Sequence, residues 1–76
     1  MVKVSLNEVS KVKEFVSDIS KLDINVSLVS GGYKVNAKSI LGVFSLDLSK
    51  PVSVITESTN PSDINTVYAA CDKYLV

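Results

Sequence analysis

Two consecutive glycines, Gly31 and Gly32, separate two short segments in which apolar and polar residues alternate. These segments are residues 24–28 and 33–37. An alternation with a period of two is typical of a β-strand with one buried face, and a glycine pair tolerates the positive φ angles of a tight turn. The sequence therefore predicts a β-hairpin, and this antiparallel pair limits the rest of the chain to folds built around a sheet.

The beginning of the chain predicts a strand that is followed almost directly by a helix. Residues 2–6 alternate between apolar and polar side chains, as a half-buried strand does. From residue 9 the apolar residues recur at helical spacing, and Asn7 is expected to be the N-cap because its side chain can accept a hydrogen bond from the first turn. The predicted inner face of this helix consists of Val9, Val12, Val16 and Ile19.

The second half of the chain predicts two further helices with a strand between them. Ser39 is expected to cap a short helix that ends near Asp47, and residues 52–56 alternate as a strand does after the interruption at Pro51. Asn60 is a second N-cap candidate, followed by a proline and an acidic residue in the first turn. The apolar residues expected on the inner face of the last helix are Ile64, Val67, Tyr68, Cys71 and Leu75. The predicted order is βαββαβα, a sheet covered on one face by helices.

The composition excludes several classes of function. The 76 residues suffice for a single domain, residues 1–76, and leave no room for a second. Eight lysines balance eight acidic residues, so neither direct nucleic-acid binding nor membrane binding is expected. Cys71 is expected to be a small buried hydrophobe, and without histidine or other cysteines we expect no metal and no cofactor. Because the sequence shows neither a signal peptide nor a membrane-spanning run, we expect a cytoplasmic protein.

The most distinctive segment is residues 35–46, which read Val-Asn-Ala-Lys-Ser-Ile-Leu-Gly-Val-Phe-Ser-Leu. This run closely resembles the central serine region of HPr, the small histidine-containing phosphocarrier of the bacterial phosphoenolpyruvate:sugar phosphotransferase system. Residues 20–23 and the turn at Gly32 also fall at family-like positions. The resemblance implies an HPr-like fold, an α+β open-faced β-sandwich with three helices on one face of a four-stranded antiparallel sheet. It also implies a bacterial protein that works through protein partners.

The segment that carries the chemistry of this family is absent from the chain. In HPr a Gly-x-His-Ala-Arg-Pro pattern follows strand one, and its imidazole accepts phosphate, whereas this chain has no histidine and no arginine. Counting back from Ser39 without a gap places Glu8 at the histidine position, but a loop shortened by several residues fits the first strand better. Phosphohistidine transfer is therefore excluded, and we expect a protein that is not an enzyme. The open alternatives for Glu8 are an acyl phosphate acceptor and a surface residue that compensates the helix dipole.

Ser39 is the remaining candidate for phosphorylation. In HPr proteins of many Gram-positive bacteria a dedicated ATP-dependent kinase modifies the matching serine, and a member without the histidine acts only as a corepressor with a catabolite-control transcription factor. The resemblance thus implies an HPr-type serine kinase or a transcriptional regulator as partner. A phosphate here would lie against free N–H groups of the second helix, with Lys38 as a nearby cation. The alternative is that Ser39 is only a helix cap.

Ile40, Leu41 and Phe44 are candidates for a partner-binding surface, together with Lys38. Ile40, Val43 and Phe44 cannot all face the sheet from so short a helix, so some apolar surface should stay exposed. In HPr the corresponding surface docks several partners. One open alternative is that Ile40 and Phe44 belong mostly to the core. A separate alternative concerns the function: the protein could be an interaction module that has the HPr scaffold but is unrelated to sugar transport.

The loop after the second helix departs from the family pattern. Asp47 and Pro51 stand where family members commonly have glycine. We therefore expect altered turns around the second helix, which could remodel the partner surface.

Overall fold

The computed structural model describes residues Val2–Val76, and this part of the chain forms four strands and three helices in the order βαββαβα. The strands are β1 (Val2–Val4), β2 (Val26–Ser30), β3 (Tyr33–Asn36) and β4 (Val52–Thr56), and the helices are α1 (Val9–Ser20), α2 (Ile40–Phe44) and α3 (Pro61–Cys71). A 3₁₀ turn over Asp72–Tyr74 follows α3. The predicted order is confirmed, and the 3₁₀ turn is an element that the sequence did not predict.

The strands form one antiparallel sheet in the spatial order β1-β4-β2-β3. Within it, β2 and β3 are the predicted hairpin, in which Ser30 pairs with Tyr33 across the turn. Gly31 and Gly32 have φ angles of 56° and 85°, which other residues rarely adopt, so the two glycines permit a two-residue loop. The hairpin prediction is confirmed, and the short loop fixes the register of the two strands.

One face of the sheet is buried against the helices. Val4, Leu28 and Val54 lie on three neighbouring strands, and each is at most 1% exposed. Lys3, which points to the other face of β1, is exposed. The helix residues in the same core cluster are Val12, Phe15, Val16, Ile19, Val43, Val67 and Cys71. The structure is therefore the expected α+β open-faced β-sandwich, with its helices on one face of the sheet.

The first turn of α1 differs from the prediction. Its N-cap is Glu8 and not Asn7, and the Glu8 side chain makes no capping hydrogen bond. The side chain of Asn7 instead accepts a hydrogen bond from the Lys11 ammonium (3.4 Å). Val9, predicted to be buried, is 58% exposed, and Phe15 takes a central core position at 0% exposure. The buried stripe of α1 therefore begins one turn later than the apolar spacing suggested.

The C-terminal segment also differs from the prediction. Leu75 was expected on the inner face of α3, but this helix ends at Cys71, and Leu75 is exposed. The 3₁₀ turn has three residues per turn instead of 3.6, and this change of period brings Tyr74 to the core in place of Leu75. The Tyr74 ring packs edge-on against Phe15, with the ring centroids 5.3 Å apart. This aromatic contact fastens the C-terminal turn to α1.

Asp18 on α1 should make the stability of the fold sensitive to acid. The Tyr74 hydroxyl donates a hydrogen bond to Asp18 Oδ2 (2.9 Å), and the Lys73 ammonium lies 3.2 Å from the same oxygen. These contacts lower the pKa of Asp18 below its usual value. A carboxyl group with a lowered folded-state pKa stabilises the protein above its unfolded-state pKa of about 3.9, and this stabilisation disappears as pH falls through the folded-state pKa.

Tyr74→Phe removes the hydrogen bond from the tyrosine hydroxyl to Asp18 and keeps the aromatic ring. We expect the variant to lose stability near pH 7, and we expect this loss to shrink as pH falls through the lowered folded-state pKa of Asp18, because the carboxyl group then becomes protonated in the folded protein as well. Urea unfolding of both proteins across this pH range measures the difference. A loss of stability that is the same at every pH would contradict the assignment of the effect to the Asp18 carboxylate.

Candidate functional site

Ser39 is the N-cap of α2, as predicted. Its backbone is extended (φ −98°, ψ 109°), and its Oγ accepts a hydrogen bond from the Gly42 N–H at 3.2 Å. The residue is exposed to solvent. Across residues 2–76 the Ser39 hydroxyl donates to no protein group, so its proton faces solvent while its oxygen is fixed by the cap.

The loop before Ser39 is held by hydrogen bonds from family-like residues. Asn36 Oδ1 accepts from the Lys38 N–H (2.9 Å), and the Asn36 carbonyl accepts from the Ser39 N–H (3.0 Å). The Lys38 ammonium donates to the carbonyl oxygen of Leu22 at 2.7 Å, just beyond the end of α1. Lys38 thus ties the start of α2 to α1, and its charge is engaged away from the Ser39 hydroxyl.

An apolar patch lies on the outer side of α2 and at the start of α1. We define the apolar patch as Val9, Ile40, Leu41 and Phe44, which are 58%, 38%, 82% and 40% exposed. Val43 takes the core position of α2 at 0% exposure. The sequence left open whether Ile40 and Phe44 belong mostly to the core, and the structure shows both of them partly exposed. The sequence missed Val9, which its periodicity assigned to the core.

A cleft of about 330 Å³ separates the start of α1 from the end of α2. Its lining consists of Leu6, Asn7, Glu8, Val9, Val12, Phe44, Leu48 and Ser49. Val9 and Phe44 of the apolar patch face each other across this cleft, so the patch continues into it. Glu8 and Phe44, the last residue of α2, both line this cleft. Ser39 lies at the other end of the helix, directly before its first residue. The two candidate acceptors are therefore at opposite ends of α2.

Three solved structures with this fold are phosphocarrier or catabolite repression proteins. The phosphocarrier protein HPr of Bacillus anthracis has a TM-score of 0.78 with this chain at 24% identity, over 96% of this chain and 90% of that one. HPr-C-His of Thermoanaerobacter tengcongensis has a TM-score of 0.70 at 27% identity, over 95% and 83% of the two chains. The Bacillus subtilis catabolite repression protein Crh has a TM-score of 0.65 at 26% identity, over 99% and 88%.

This chain has an HPr-like fold. The similarity extends over nearly its whole length in all three cases. A scan against models of protein families finds no match, and a search of curated proteins finds none either. The HPr-like assignment therefore depends on the three-dimensional structure together with the residues around Ser39, and not on overall sequence identity.

The start of α1 in this HPr-like chain contains no group suited to phosphohistidine chemistry. The whole sequence has no histidine and no arginine. Four residues, 5–8, connect β1 to α1, and Glu8 at the end of this loop is exposed to solvent. A carboxylate in this position compensates the positive end of the helix dipole.

The loop after α2 is closed by its own side chains. α2 ends at Phe44, three residues before the predicted end at Asp47, and the Ser45 hydroxyl donates to the Gly42 carbonyl. Asp47 Oδ1 accepts from both the hydroxyl and the N–H of Ser49, and these hydrogen bonds lower the pKa of Asp47. The short helix and the clamped turn at Asp47 give this loop a structure that needs no glycine at that position.

Cys71 and the helices contribute no further candidate site. Cys71 is buried in the core, and this burial raises the pKa of its thiol to about 11, so the thiol stays protonated and unreactive at neutral pH. Among residues 2–76, no group of three or more acidic, cysteine or histidine side chains could hold a metal ion. None of the helices described is long and apolar enough to span a membrane.

Proposed function

We propose that this HPr-like protein is regulatory: it binds protein partners through the apolar patch, and an ATP-dependent serine kinase modifies it at Ser39. The observation that carries this proposal is the exposed Ser39 hydroxyl, held by the cap of α2 two residues before the 82% exposed Leu41. A phosphate added at this position would change the charge next to the apolar patch by about −1.5 to −2. Modification could thereby change which partner binds.

The sequence supports a regulatory role over a carrier role. A phosphocarrier needs a nucleophile that takes phosphate reversibly, and no residue of this chain is a histidine. The similarity to Crh, a catabolite repression protein of Bacillus subtilis, fits a function in regulation. The partner that best fits this proposal is a transcriptional regulator.

Hydrogen bonding favours Ser39 over the neighbouring serines as the phosphate acceptor. Ser45 donates its hydroxyl proton to the Gly42 carbonyl, and Ser49 donates its proton to Asp47. Ser39 only accepts, so its proton is available to the general base of a kinase. Lys38 would have to leave the Leu22 carbonyl to pair with the phosphate, and we therefore assign the first contacts of the phosphate to backbone N–H groups.

Ser39→Ala is expected to abolish phosphorylation and to lower the free energy of unfolding by about 1 kcal/mol, because the cap of α2 is lost. Intact-mass spectrometry after incubation with an HPr-type serine kinase and ATP measures the first effect, and urea unfolding measures the second. Ser45→Ala is the matched control, since it removes a neighbouring hydroxyl and should still gain one phosphate.

Three results would count against this proposal. If the kinase modifies an HPr protein efficiently but leaves this chain unmodified under the same conditions, the kinase reaction at Ser39 is ruled out. A hydroxylamine-sensitive phosphate on Glu8, formed with phosphoenolpyruvate and the first enzyme of the phosphotransferase system, would instead support a carrier that uses a carboxylate. Binding of partners without any phosphorylation would leave the protein as an interaction module.

A further inference from the structure

Gly42 lies at a crowded position in the middle of α2. A Cβ atom placed there would be 3.2 Å from Ser39 Oγ and 3.4 Å from the Cβ of Val35 on β3. The first distance is shorter than ordinary van der Waals contact, so a side chain at this position would push the serine oxygen away. The second distance is an ordinary contact, and β3 alone would therefore tolerate a methyl group.

The backbone of Gly42 also holds the serines on both sides of it. Its N–H donates to Ser39 Oγ (3.2 Å), and its carbonyl accepts from the Ser45 hydroxyl. Alanine is a better helix former than glycine, so helix formation does not account for a glycine here. Its φ angle is not positive either, since the described glycines with positive φ are Gly31 and Gly32. The close approach of Ser39 Oγ is the contact that a side chain here would disturb, because a Cβ atom would require the serine oxygen to move by a few tenths of an ångström.

We propose that Gly42 is the positioning residue of Ser39, and that it fixes the serine hydroxyl for phosphoryl transfer. This inference rests on the proposed function of Ser39 as phosphate acceptor. The Gly42 N–H occupies one lone pair of the Ser39 oxygen, and the missing side chain leaves room for the serine oxygen in the position that accepts this hydrogen bond. In the kinase reaction the serine oxygen bonds to the γ-phosphorus of ATP, the bond from that phosphorus to the bridging oxygen breaks, ADP leaves, and the serine proton passes to the kinase base.

A double-mutant cycle tests the geometry on the unmodified protein. We expect Gly42→Ala to lower the midpoint of urea unfolding when Ser39 is present, because the methyl group disturbs the cap. In the Ser39→Ala background the same substitution should raise the midpoint, because the crowding is gone and alanine favours the helix. If Gly42→Ala shifts the unfolding midpoint in the same direction with Ser39 present and in the Ser39→Ala variant, the proposed role of Gly42 is wrong.

Kinase kinetics provide a readout that a purely structural role would not move. We expect Gly42→Ala to lower kcat for phosphorylation at least tenfold with little change in KM, because the docking surface is intact while the nucleophile is misplaced. Ser45→Ala, which removes the other serine held by Gly42, should keep the kcat of the unsubstituted protein. An unchanged kcat in Gly42→Ala would overturn the inference. If the unsubstituted protein takes no phosphate, the proposed function fails, and the cycle still decides whether Gly42 positions Ser39.

Discussion

Phe15→Ala is expected to lower the free energy of unfolding by about 3–5 kcal/mol. Phe15 is completely buried in α1, and its ring meets the Tyr74 ring edge-on at an interplanar angle of 85°. Truncation therefore leaves a cavity under α1 and removes the aromatic contact that holds the C-terminal turn. At roughly 0.05–0.15 kcal/mol per residue, a domain of this size has a total stability of the same order, so the variant should be largely unfolded at moderate temperature.

Thermal and urea unfolding followed by circular dichroism measure this effect. Val9→Ala is the matched control, because Val9 is an apolar residue of the same helix but is 58% exposed. Its stability should change by no more than about 0.5 kcal/mol. If Phe15→Ala does not fold at all, Phe15→Leu keeps most of the volume and should lose about 1 kcal/mol with the aromatic pair. Equal losses for Phe15→Ala and Val9→Ala would contradict the packing of α1.

Most features that depend on nearby residues were predicted well from the sequence, and the N-cap of α1 is the exception. The hairpin follows from two glycines between alternating segments, and no distant contact is needed to form its turn. The caps at Ser39 and Asn60 are equally local, because each side-chain oxygen accepts from a backbone N–H two or three residues later. The fold class follows from the order of these local elements and from the resemblance around Ser39.

Features that depend on packing between elements were not predicted. Val9 and Phe15 are both apolar residues of α1, and only the position of this helix over the sheet decides which of them is buried. Tyr74 replaced Leu75 in the core because the helical period changes after Cys71, and no residue in the sequence marks this change. The Lys38 side chain reaches Leu22, sixteen residues earlier in the chain, so its role could not be read from its neighbours.

The same distinction applies to the candidate site. The helix α2 has only five residues and can bury little more than Val43. Its short length explains the exposed hydroxyl of Ser39 and the incomplete burial of Ile40, Leu41 and Phe44. The cleft beside Phe44 is lined in part by the four-residue connection before α1, whose path is visible only in the folded protein. The contribution of the structure is therefore to extend the predicted surface from α2 to the start of α1.

Leu41→Glu is expected to weaken partner binding by about 30-fold or more and to leave the fold intact. Leu41 is 82% exposed, the most exposed residue of the apolar patch, so a charge there costs little in the free protein. In a complex the same charge would be buried against an apolar surface of the partner, and central apolar residues of this kind typically contribute about 2 kcal/mol or more to binding. The free energy of unfolding should change by no more than about 0.5 kcal/mol.

Val76→Glu is the matched control for this substitution. Val76 is 78% exposed and lies on the C-terminal segment, whose backbone pairs with β1, away from α2. The unsubstituted protein and the two variants are each immobilised, and the proteins that each retains from an extract of the cells that make this chain are compared. Calorimetry with the purified partner then measures the three affinities. Equal binding by all three would exclude Leu41 from the interface. A large fall in the unfolding midpoint of Leu41→Glu would contradict its exposed position. Loss of binding in Leu41→Glu alone would identify the outer side of α2 as the docking surface.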